Sequence, residues 1–598
     1  MVGNATTPTK SLRAGSPQEH PCKPDLVVNV AVIGGTESPL SDASLLTQRL
    51  RQLLQDIKKG VQQESSSDAH SSREPCLRIL SSLAQVNDRL AAHLGLGLGY
   101  ELQCCLPTAR GRFEATLPSP ASRQEFRELL DKATAVFELD LDSATDSLTH
   151  PFAGETLLKH SDMLIAIVGG CSVQDVEITG TLVAHAAAAG VPVIYLESSA
   201  PHRVSLMENA TPADYSSAHL YRVIHGVITH MSSEEEGLLL RYHAEAFQEG
   251  NPWILYKLLL QLLVPSDLKP SLSLNCSGPH PREHQGIFRY YFHAADALSI
   301  YYGDLYRSMS LLRNLLLFLA TAGLVIGFYW GNWRPEWKDG IGNFVGFLIQ
   351  AASLLGVICL ARTNKKREWH RKYMDYRVVA ENFRWAGYLH PLGLGRLEMA
   401  LHPYQGGSPS WVNVHLRSVL RMAGLPNTSL ANCQQQYLRD LAEGIEGQRD
   451  FHQKNAHRYE KAWRKIETLT ETLFLSGIFL ILLRVTFHFI YVNYPHNDLK
   501  RLKSLFNCLA LFVPASGAFT NSLQSHLGFE KLKERSRVMA NVFHDMTLHL
   551  DQLLAHQGEG KRVTYEDLQS LADKVRTVFL EEVADWRVFI SSKAIAEK

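Results

Sequence analysis

Four long apolar runs in the second half of the chain predict helices that cross a membrane. They lie at about 315–331, 344–360, 473–492 and 505–523. Each run approaches the roughly 20 apolar residues that a helix needs to span a hydrocarbon core. Aromatic residues suited to a membrane interface cluster around the first short loop: Tyr329, Trp330, Trp333 and Trp337. The runs therefore predict two transmembrane helical hairpins, with buried helices of a large soluble domain as the alternative.

The sequence around each hairpin repeats. Phe292-His293 precedes the first run, and Phe451-His452 precedes the third. Segments 377–383 and 537–543 follow the second and fourth runs, and they share Arg, Val, Ala and Phe at an offset of 160 residues (537 − 377). This predicts an internal duplication of one helix–span–span–helix unit. Long charged helices flank each hairpin and are expected to pack as a cytosolic stalk, with independent solvated coils as the alternative.

Ahead of the hairpins, short apolar runs alternate with helical segments. Several of these runs are continuously apolar, which is typical of parallel strands covered on both faces. We predict an α/β Rossmann-like domain with a mostly parallel sheet, followed by an all-α transmembrane region. The predicted strands are 27–33, 77–81, 101–106, 135–139, 163–168 and 193–196.

These patterns divide the chain into six parts. The parts are a disordered tail (1–24), the α/β domain (25–230), a helical connector and linker (231–285), a first helical unit (286–388), a connector (389–433) and a second helical unit (434–598).

Composition narrows the possible partners. The 598 residues include 60 Lys and Arg and 60 Asp and Glu, so the zero net charge gives no case for nucleic acid as a partner. The nine cysteines form no C-x-x-C pair, which predicts neither a disulfide framework nor a metal site. No apolar signal segment appears near Met1, so we expect the front of the chain to stay in the cytoplasm.

Basic residues predict the orientation of the spans. Arg362, Lys365, Lys366 and Arg367 follow the second run directly, whereas the loop before it carries only Arg334 and Lys338. Because cytoplasmic flanks are enriched in Lys and Arg, the even number of spans places both termini in the cytoplasm.

Glycine and hydroxyl residues mark the predicted carboxyl ends of the strands. Ligands of parallel sheets bind at that edge, often on free N–H groups at a helix start. Gly180 and Thr181 are predicted to open a helix over 182–189. Asp88 and Glu177 are candidates to bind ribose hydroxyls, with a capping or solvated carboxylate as the alternative for each. The candidate ligand residues are Gly34, Gly35, Thr36, Ser81, Ser82, Asp88, Arg89, Gly169, Gly170, Glu177, Gly180 and Thr181.

Residues 25 to about 200 resemble the SLOG superfamily of nucleotide-handling domains. The resemblance rests on Val32-Ile33-Gly34-Gly35, Ser81-Ser82-Leu83-Ala84 with Asn87-Asp88-Arg89, Gly99-Tyr100-Glu101-Leu102-Gln103, Ser161-Asp162-Met163-Leu164-Ile165-Ala166, and Gly180-Thr181 through Gly190-Val191-Pro192-Val193. The hairpins look like SLATT units, which are membrane effector modules found beside bacterial nucleotide-signalling genes. Trp411-Val412-Asn413, Leu425-Pro426 and the segment 582–587 are similar to that combination.

Enzymes of the SLOG superfamily cleave nucleoside 5′-monophosphates and carry a Pro-Gly-Gly-x-Gly-Thr-x-x-Glu motif. In this chain a ten-residue excursion leads from Gly170 to Gly180-Thr181, and no Glu lies three residues after Thr181. Since a hydrolase needs a positioned carboxylate, we predict ligand sensing and no catalytic residue. A membrane-tethered phosphoribohydrolase and a non-catalytic scaffold are the alternatives.

Polar residues within the second hairpin suggest a pore. Arg484 and His488 share one helical face in the third span, and Asn507 and Asn521 lie in or near the fourth. Ionisable groups at membrane depth usually face a bundle interior or water. The alternative is that Arg484 snorkels to the interface or pairs within the bundle in a structural role only.

The resemblance implies a ligand-gated effector of the bacterial inner (cytoplasmic) membrane, acting in antiphage defence. Its expected ligand is a nucleotide-derived messenger of the cyclic oligonucleotide or ADP-ribose type, and no cofactor is expected. The expected assembly is a homo-oligomer whose spans conduct ions or disrupt the membrane.

Overall fold

The computed structural model describes thirteen stretches of the chain together with residues 200–201. The stretches are 20–34, 43–64, 69–139, 149–168, 173–197, 203–208, 211–229, 231–247, 255–265, 284–333, 341–395, 410–558 and 563–596.

Nine strands of the described residues form one mixed, mostly parallel sheet. Its spatial order is β8-β7-β6-β5-β1-β2-β3-β4-β9, and only the pairings of β6 with β7 and of β7 with β8 are antiparallel. The strands are β1 Val27–Gly34, β2 Cys76–Ser81, β3 Glu101–Leu106, β4 Ala135–Glu138, β5 Met163–Val168, β6 Val193–Glu197, β7 Val204–Glu208, β8 Thr211–Asp214 and β9 Thr428–Ser429. The six predicted strands and their parallel pairing are confirmed.

In the described part of the N-terminal half, nine α-helices accompany the sheet. They are α1 Ala43–Gln63, α2 Val86–Gly97, α3 Arg110–Thr116, α4 Pro120–Lys132, α5 Thr149–His160, α6 Val173–Ala188, α7 Ser217–Thr229, α8 Ser233–His243 and α9 Leu255–Leu263. One face of the sheet packs against α1, α2, α4 and α7.

Eight further α-helices lie in the described part of the C-terminal half. They are α10 His284–Trp333, α11 Ile341–Arg367, α12 Trp369–Leu389, α13 Trp411–Ala423, α14 Leu430–Asn493, α15 Asn497–Leu527, α16 Phe529–Gly558 and α17 Tyr565–Ala596.

The second face of the sheet shares its core with the helical region. Ala31 of β1 and Phe137 of β4 belong to one buried cluster with Leu389 of α12, Leu441 of α14 and Phe543 of α16. Burying apolar surface of this kind contributes about 25 cal/mol for each Å² removed from water. The sheet and the long helices are therefore held together by a common hydrophobic core.

Four helical segments of the described residues are long and apolar enough to cross a membrane. They are Gly286–Gly327, Asn343–Arg367, Leu430–Asn493 and Leu499–Ala555. Large apolar side chains on these helices are exposed, among them Phe347 of α11 and Leu482 and Phe489 of α14. An exposed apolar surface of this extent is typical of contact with lipid or with another protein.

Small residues bring consecutive apolar helices into close contact. A Cβ atom built on Gly346 of α11 would lie 2.5 Å from the carbonyl oxygen of Gly323 in α10. A Cβ on Gly477 of α14 would lie 2.7 Å from Cγ of Pro514 in α15. The two helix pairs also contact each other, because the ring of Phe318 in α10 stacks on the ring of Phe519 in α15 with centroids 4.8 Å apart. The four apolar helices thus pack into one bundle.

In each helical unit, the helix that contains the second span is separated from the next helix at an equivalent position. Glu368 separates α11 from α12 with φ 51°, and Gly528 separates α15 from α16 with φ 64°. These left-handed residues lie at the same offset of 160 (528 − 368) as the repeated sequence segments. Phe383 and Phe543, which that repeat aligns, are both buried. The shared break supports the predicted duplication.

Candidate ligand site at the carboxyl edge of the sheet

The strand order reverses between β1 and β5. From β1 the chain continues to β2, β3 and β4 on one side, whereas β5 leads to β6 on the other. Gly34 at the end of β1 lies opposite Ile167 of β5. In parallel sheets, ligands bind beyond the strand ends at such a reversal. The loops that begin there carry four of the predicted ligand residues, which lie outside the described part of the chain: Gly35, Thr36, Gly169 and Gly170.

Gly34 allows helix α2 to approach the end of β1. The N–H of Gly34 donates to Oδ1 of Asp88 at 2.6 Å. A Cβ on Gly34 would lie 2.6 Å from Cβ of Asn87, which is closer than real Cβ atoms come. A larger residue at position 34 would therefore push α2 away from the strand.

Asp88 joins the ends of two strands to the first turn of α2. Besides the N–H of Gly34, it accepts hydrogen bonds at Oδ2 from the Ser82 hydroxyl and from the N–H of Gln85, both at 3.2 Å. Burial raises the pKa of this carboxyl to about 6, although the hydrogen bonds and nearby Arg89 act in the opposite direction. The carboxylate thus positions the loop after β2. Its contact with a ribose stays a prediction.

Arg89 fixes the same loop from within. Leu83 adopts a left-handed conformation with φ 57°, and Nη1 of Arg89 donates to the carbonyl oxygens of Leu83 and Ala84 at 3.1 and 3.2 Å. Its Nε donates to Glu125 of α4 at 2.8 Å. The Oγ atom of buried Ser81 accepts from the N–H of Leu83 at 3.1 Å. Four predicted residues therefore shape one loop at the predicted edge: Ser81, Ser82, Asp88 and Arg89.

Gly180 and Thr181 do not open a helix, so this part of the sequence prediction is wrong. Helix α6 begins at Val173 and passes through both residues and Glu177. Gly180 is exposed, and a Cβ built on it meets no atom within 4 Å. Because only the first four N–H groups of a helix lack an intrahelical partner, residues 180 and 181 offer no free backbone donors to an anion.

The amino edge of the sheet holds a second buried cluster, which the sequence did not predict. Nε of Arg421 in α13 lies 2.6 Å from Oδ1 of Asp162, directly before β5. Arg78 of β2 donates to the carbonyl oxygens of Arg421 and Met422, at 2.7 and 3.2 Å. The Gln103 side chain of β3 accepts from the backbone N–H of residue 425 at 2.8 Å. Segment 411–429, predicted as connector, is thus built into the sheet.

The polar residues predicted to line a pore differ in exposure on the single chain. Arg484 and His488 are exposed on the outer surface of α14. Asn507 is partly buried and Asn521 is exposed on α15. Their place along a pore stays a prediction.

No protein-family model, curated protein or solved structure matches the chain. Fold and sequence together define a class: an α/β domain with a mostly parallel sheet, joined to a helical region with four helices long and apolar enough to span a membrane.

Proposed function

We propose that the chain is a membrane effector gated by a nucleotide-derived ligand. The ligand binds at the carboxyl ends of β1, β2 and β5, where the strand order reverses and Asp88 and Arg89 shape the loop. A Rossmann-like mode of binding, on backbone N–H groups of the glycine-rich loops, fits the phosphates of such a ligand. The SLOG and SLATT resemblance favours a cyclic oligonucleotide or an ADP-ribose-type messenger in antiphage defence.

One observation carries the proposal: a strand of the sheet continues directly into the helix that contains the third predicted span. β9 pairs with the last residues of β4 and ends at Ser429, and α14 begins at Leu430. Helix α14 then runs 64 residues without interruption to Asn493, past the third predicted span. A rigid helix that leaves the carboxyl edge of the sheet transmits a displacement there over a long distance.

The output side of the proposal is a pore or lesion formed by an oligomer of membrane hairpins. Arg484 and His488 are exposed on one chain, and a guanidinium in hydrocarbon costs roughly 2.5–3.5 kcal/mol on insertion scales. Packing between copies around a water-filled path gives this arginine a polar environment. The basic flanks favour a cytoplasmic location of both termini at the inner membrane.

A ligand screen on the full chain tests the proposal. The isolated α/β domain is unsuitable, because it would lose β9 and the helices that cover the second face of its sheet. We expect a nucleotide messenger to raise the unfolding temperature of the detergent-solubilised protein. A nucleoside monophosphate that is bound and cleaved, with release of the free base, would instead establish the hydrolase alternative. If no nucleotide raises the unfolding temperature, the alternative of a non-catalytic membrane scaffold is favoured.

A further inference from the structure

A cavity of about 760 Å³ lies between the two helical units, away from the carboxyl edge of the sheet. Helices α10 and α12 line it from the first unit, and α14 through α17 line it from the second. Its size lies within the range of small-molecule sites, about 300–1,000 Å³. Whatever fills it would contact both units at once.

One end of the cavity lies at the level where the apolar helices begin. Leu311 and Asn314 line it directly before the first apolar run, and Leu523 and Leu527 line it at the end of the fourth. Three leucines therefore lie among polar groups at the end of the cavity nearest the spans. An amphiphile with its apolar part toward these leucines fits this end.

Two arginines of α12 that line the cavity already have acidic partners. Arg377 lies 3.0 Å from Asp296 and also pairs with Glu381. Arg384 lies 3.2 Å from the same Glu381. The charges of both arginines are thus largely balanced within the first unit.

Two further arginines of the lining also have partners. Nη2 of Arg535 lies 3.9 Å from Oε1 of Glu582 and donates to the backbone carbonyl of that residue. Arg307 donates to the Tyr373 hydroxyl and lies 3.8 Å from Asp304. These contacts occupy the two side chains without any bound ligand.

Arg458 of α14 differs from these four. Its Nε atom is shielded from solvent, and no described residue accepts a hydrogen bond from it. Nδ1 of His452, less than two turns earlier on the same helix, is likewise buried and unpartnered within the described residues. A shielded N–H without an acceptor is costly, and the planar donors of a guanidinium match a phosphate better than they match a neutral group.

We infer that this cavity binds a phosphate-bearing ligand, with its phosphate against Arg458 and any apolar part toward the spans. An anion suits Arg458, because the other four arginines of the lining already pair with carboxylates, namely Asp296, Glu381, Glu582 and, outside the lining, Asp304. The phosphate comes from an anionic phospholipid headgroup or from a soluble phosphate compound. The lipid source rests on the proposed membrane placement, whereas the phosphate site itself does not.

The experiment measures binding to the full-length protein in neutral detergent. The probes are short-chain phosphatidylglycerol, phosphatidylcholine of the same chain length, and inorganic phosphate. We expect phosphatidylglycerol to bind at least tenfold more tightly than phosphatidylcholine. Binding of phosphatidylglycerol that inorganic phosphate does not displace identifies the lipid source. Binding of inorganic phosphate with no preference between the lipids identifies the soluble source.

Two variants connect the binding to Arg458. Arg458→Gln is expected to weaken binding of the preferred probe at least tenfold, and Arg458→Lys is expected to weaken it less. Arg464→Gln is the control, because Arg464 lies on the same helix, is 70% exposed and pairs with Glu460. Equal binding by wild type and a folded Arg458→Gln protein would overturn the inference, and so would the absence of binding by both phosphatidylglycerol and inorganic phosphate. Gel filtration checks the fold, and Arg458→Lys replaces Arg458→Gln if the latter aggregates.

Discussion

Arg421 and Asp162 form a buried ion pair that ties helix α13 to the start of strand β5. Their Nε and Oδ1 atoms lie 2.6 Å apart, and both side chains are at most 6% exposed. Oδ2 of the same carboxylate accepts the N–H of Asn29 in β1 at 3.0 Å. Two residues that are 259 positions apart in the sequence thus hold the central strands to the segment that leads into α14.

We predict that Arg421→Met lowers stability by about 3–5 kcal/mol, because it leaves the Asp162 carboxylate buried without its partner. Arg421→Met combined with Asp162→Asn should recover part of the loss. Arg417→Met is the control, since Arg417 is exposed on the same helix. Thermal unfolding in detergent measures the difference. Equal unfolding temperatures for Arg421→Met and Arg417→Met would show that the pair contributes little.

We predict that Gly346→Ala loosens the contact between α10 and α11. Its Cβ would lie 2.5 Å from the carbonyl oxygen of Gly323 and 2.8 Å from Cα of Gly327. Because both are backbone atoms, the helices must separate, at a cost of about 1–3 kcal/mol. Gly327→Ala is the control, since its Cβ has no neighbour closer than 3.6 Å. Faster proteolysis and a lower unfolding temperature are expected for Gly346→Ala alone.

We predict that three buried histidines make the protein sensitive to acid. The rings of His243 and His415 are 5.2 Å apart, and His70 lies nearby against Ser418. Burial lowers the pKa of His70 to about 4 and that of His243 to about 3, and it lowers the pKa of His415 well below its usual value. The positive charge of Arg421 lowers the pKa of His70 further.

The sign of this effect follows from linkage. Each histidine binds a proton in the unfolded chain near pH 6.5 but not in the folded protein until the pH is much lower. The contribution of these neutral histidines to the free energy of unfolding is therefore fully present well above pH 6.5. It falls as the pH decreases, by about 2 kcal/mol for each histidine at pH 5. His415→Leu should narrow the gap between unfolding temperatures at pH 7.5 and pH 5. His457→Gln, an exposed control on α14, should leave it unchanged. A wild-type protein equally stable at both pH values would contradict the prediction.

We predict that Arg484 determines the charge selectivity of the proposed pore. A ring of arginines in an oligomer repels cations and favours anions. Arg484→Glu should shift the reversal potential toward cation selectivity, and Arg484→Leu should abolish the preference. Reconstituted protein in a salt gradient provides the measurement. If both variants keep the selectivity and conductance of wild type, the third helix does not line the path.

The central sheet could be predicted because its strands are buried and therefore continuously apolar. Strand β5, for example, consists of six apolar residues from Met163 to Val168, and it has a parallel neighbour on each side. Strand β9 was not predicted, because it consists of only two polar residues, Thr428 and Ser429. Its place depends on distant contacts, such as the side chain of Asn427, which accepts the N–H of Val136 at 3.0 Å.

The candidate site was only partly predictable, because it too depends on contacts between residues that lie apart in the sequence. Gly180 looked like a turn residue, yet an isolated glycine costs a helix only about 1 kcal/mol, and the surrounding residues extend α6 through it. Asp88 was a candidate from the sequence, and it lies in the first turn of α2, where its carboxylate accepts the N–H of Gly34 at the end of β1. Its three donors come from residues 34, 82 and 85, and no periodicity along the chain reveals that convergence.

The central claim is that a ligand on the sheet acts on the spans through the junction of β9 and α14. The direct measurement is ion flux from liposomes containing the full-length protein, with and without the nucleotide that stabilises it. Wild type should release ions only with ligand. A variant with Gly-Gly inserted between Ser429 and Leu430 should bind that ligand with unchanged affinity but release no ions. Ligand-dependent flux from the insertion variant equal to that of wild type would contradict the account.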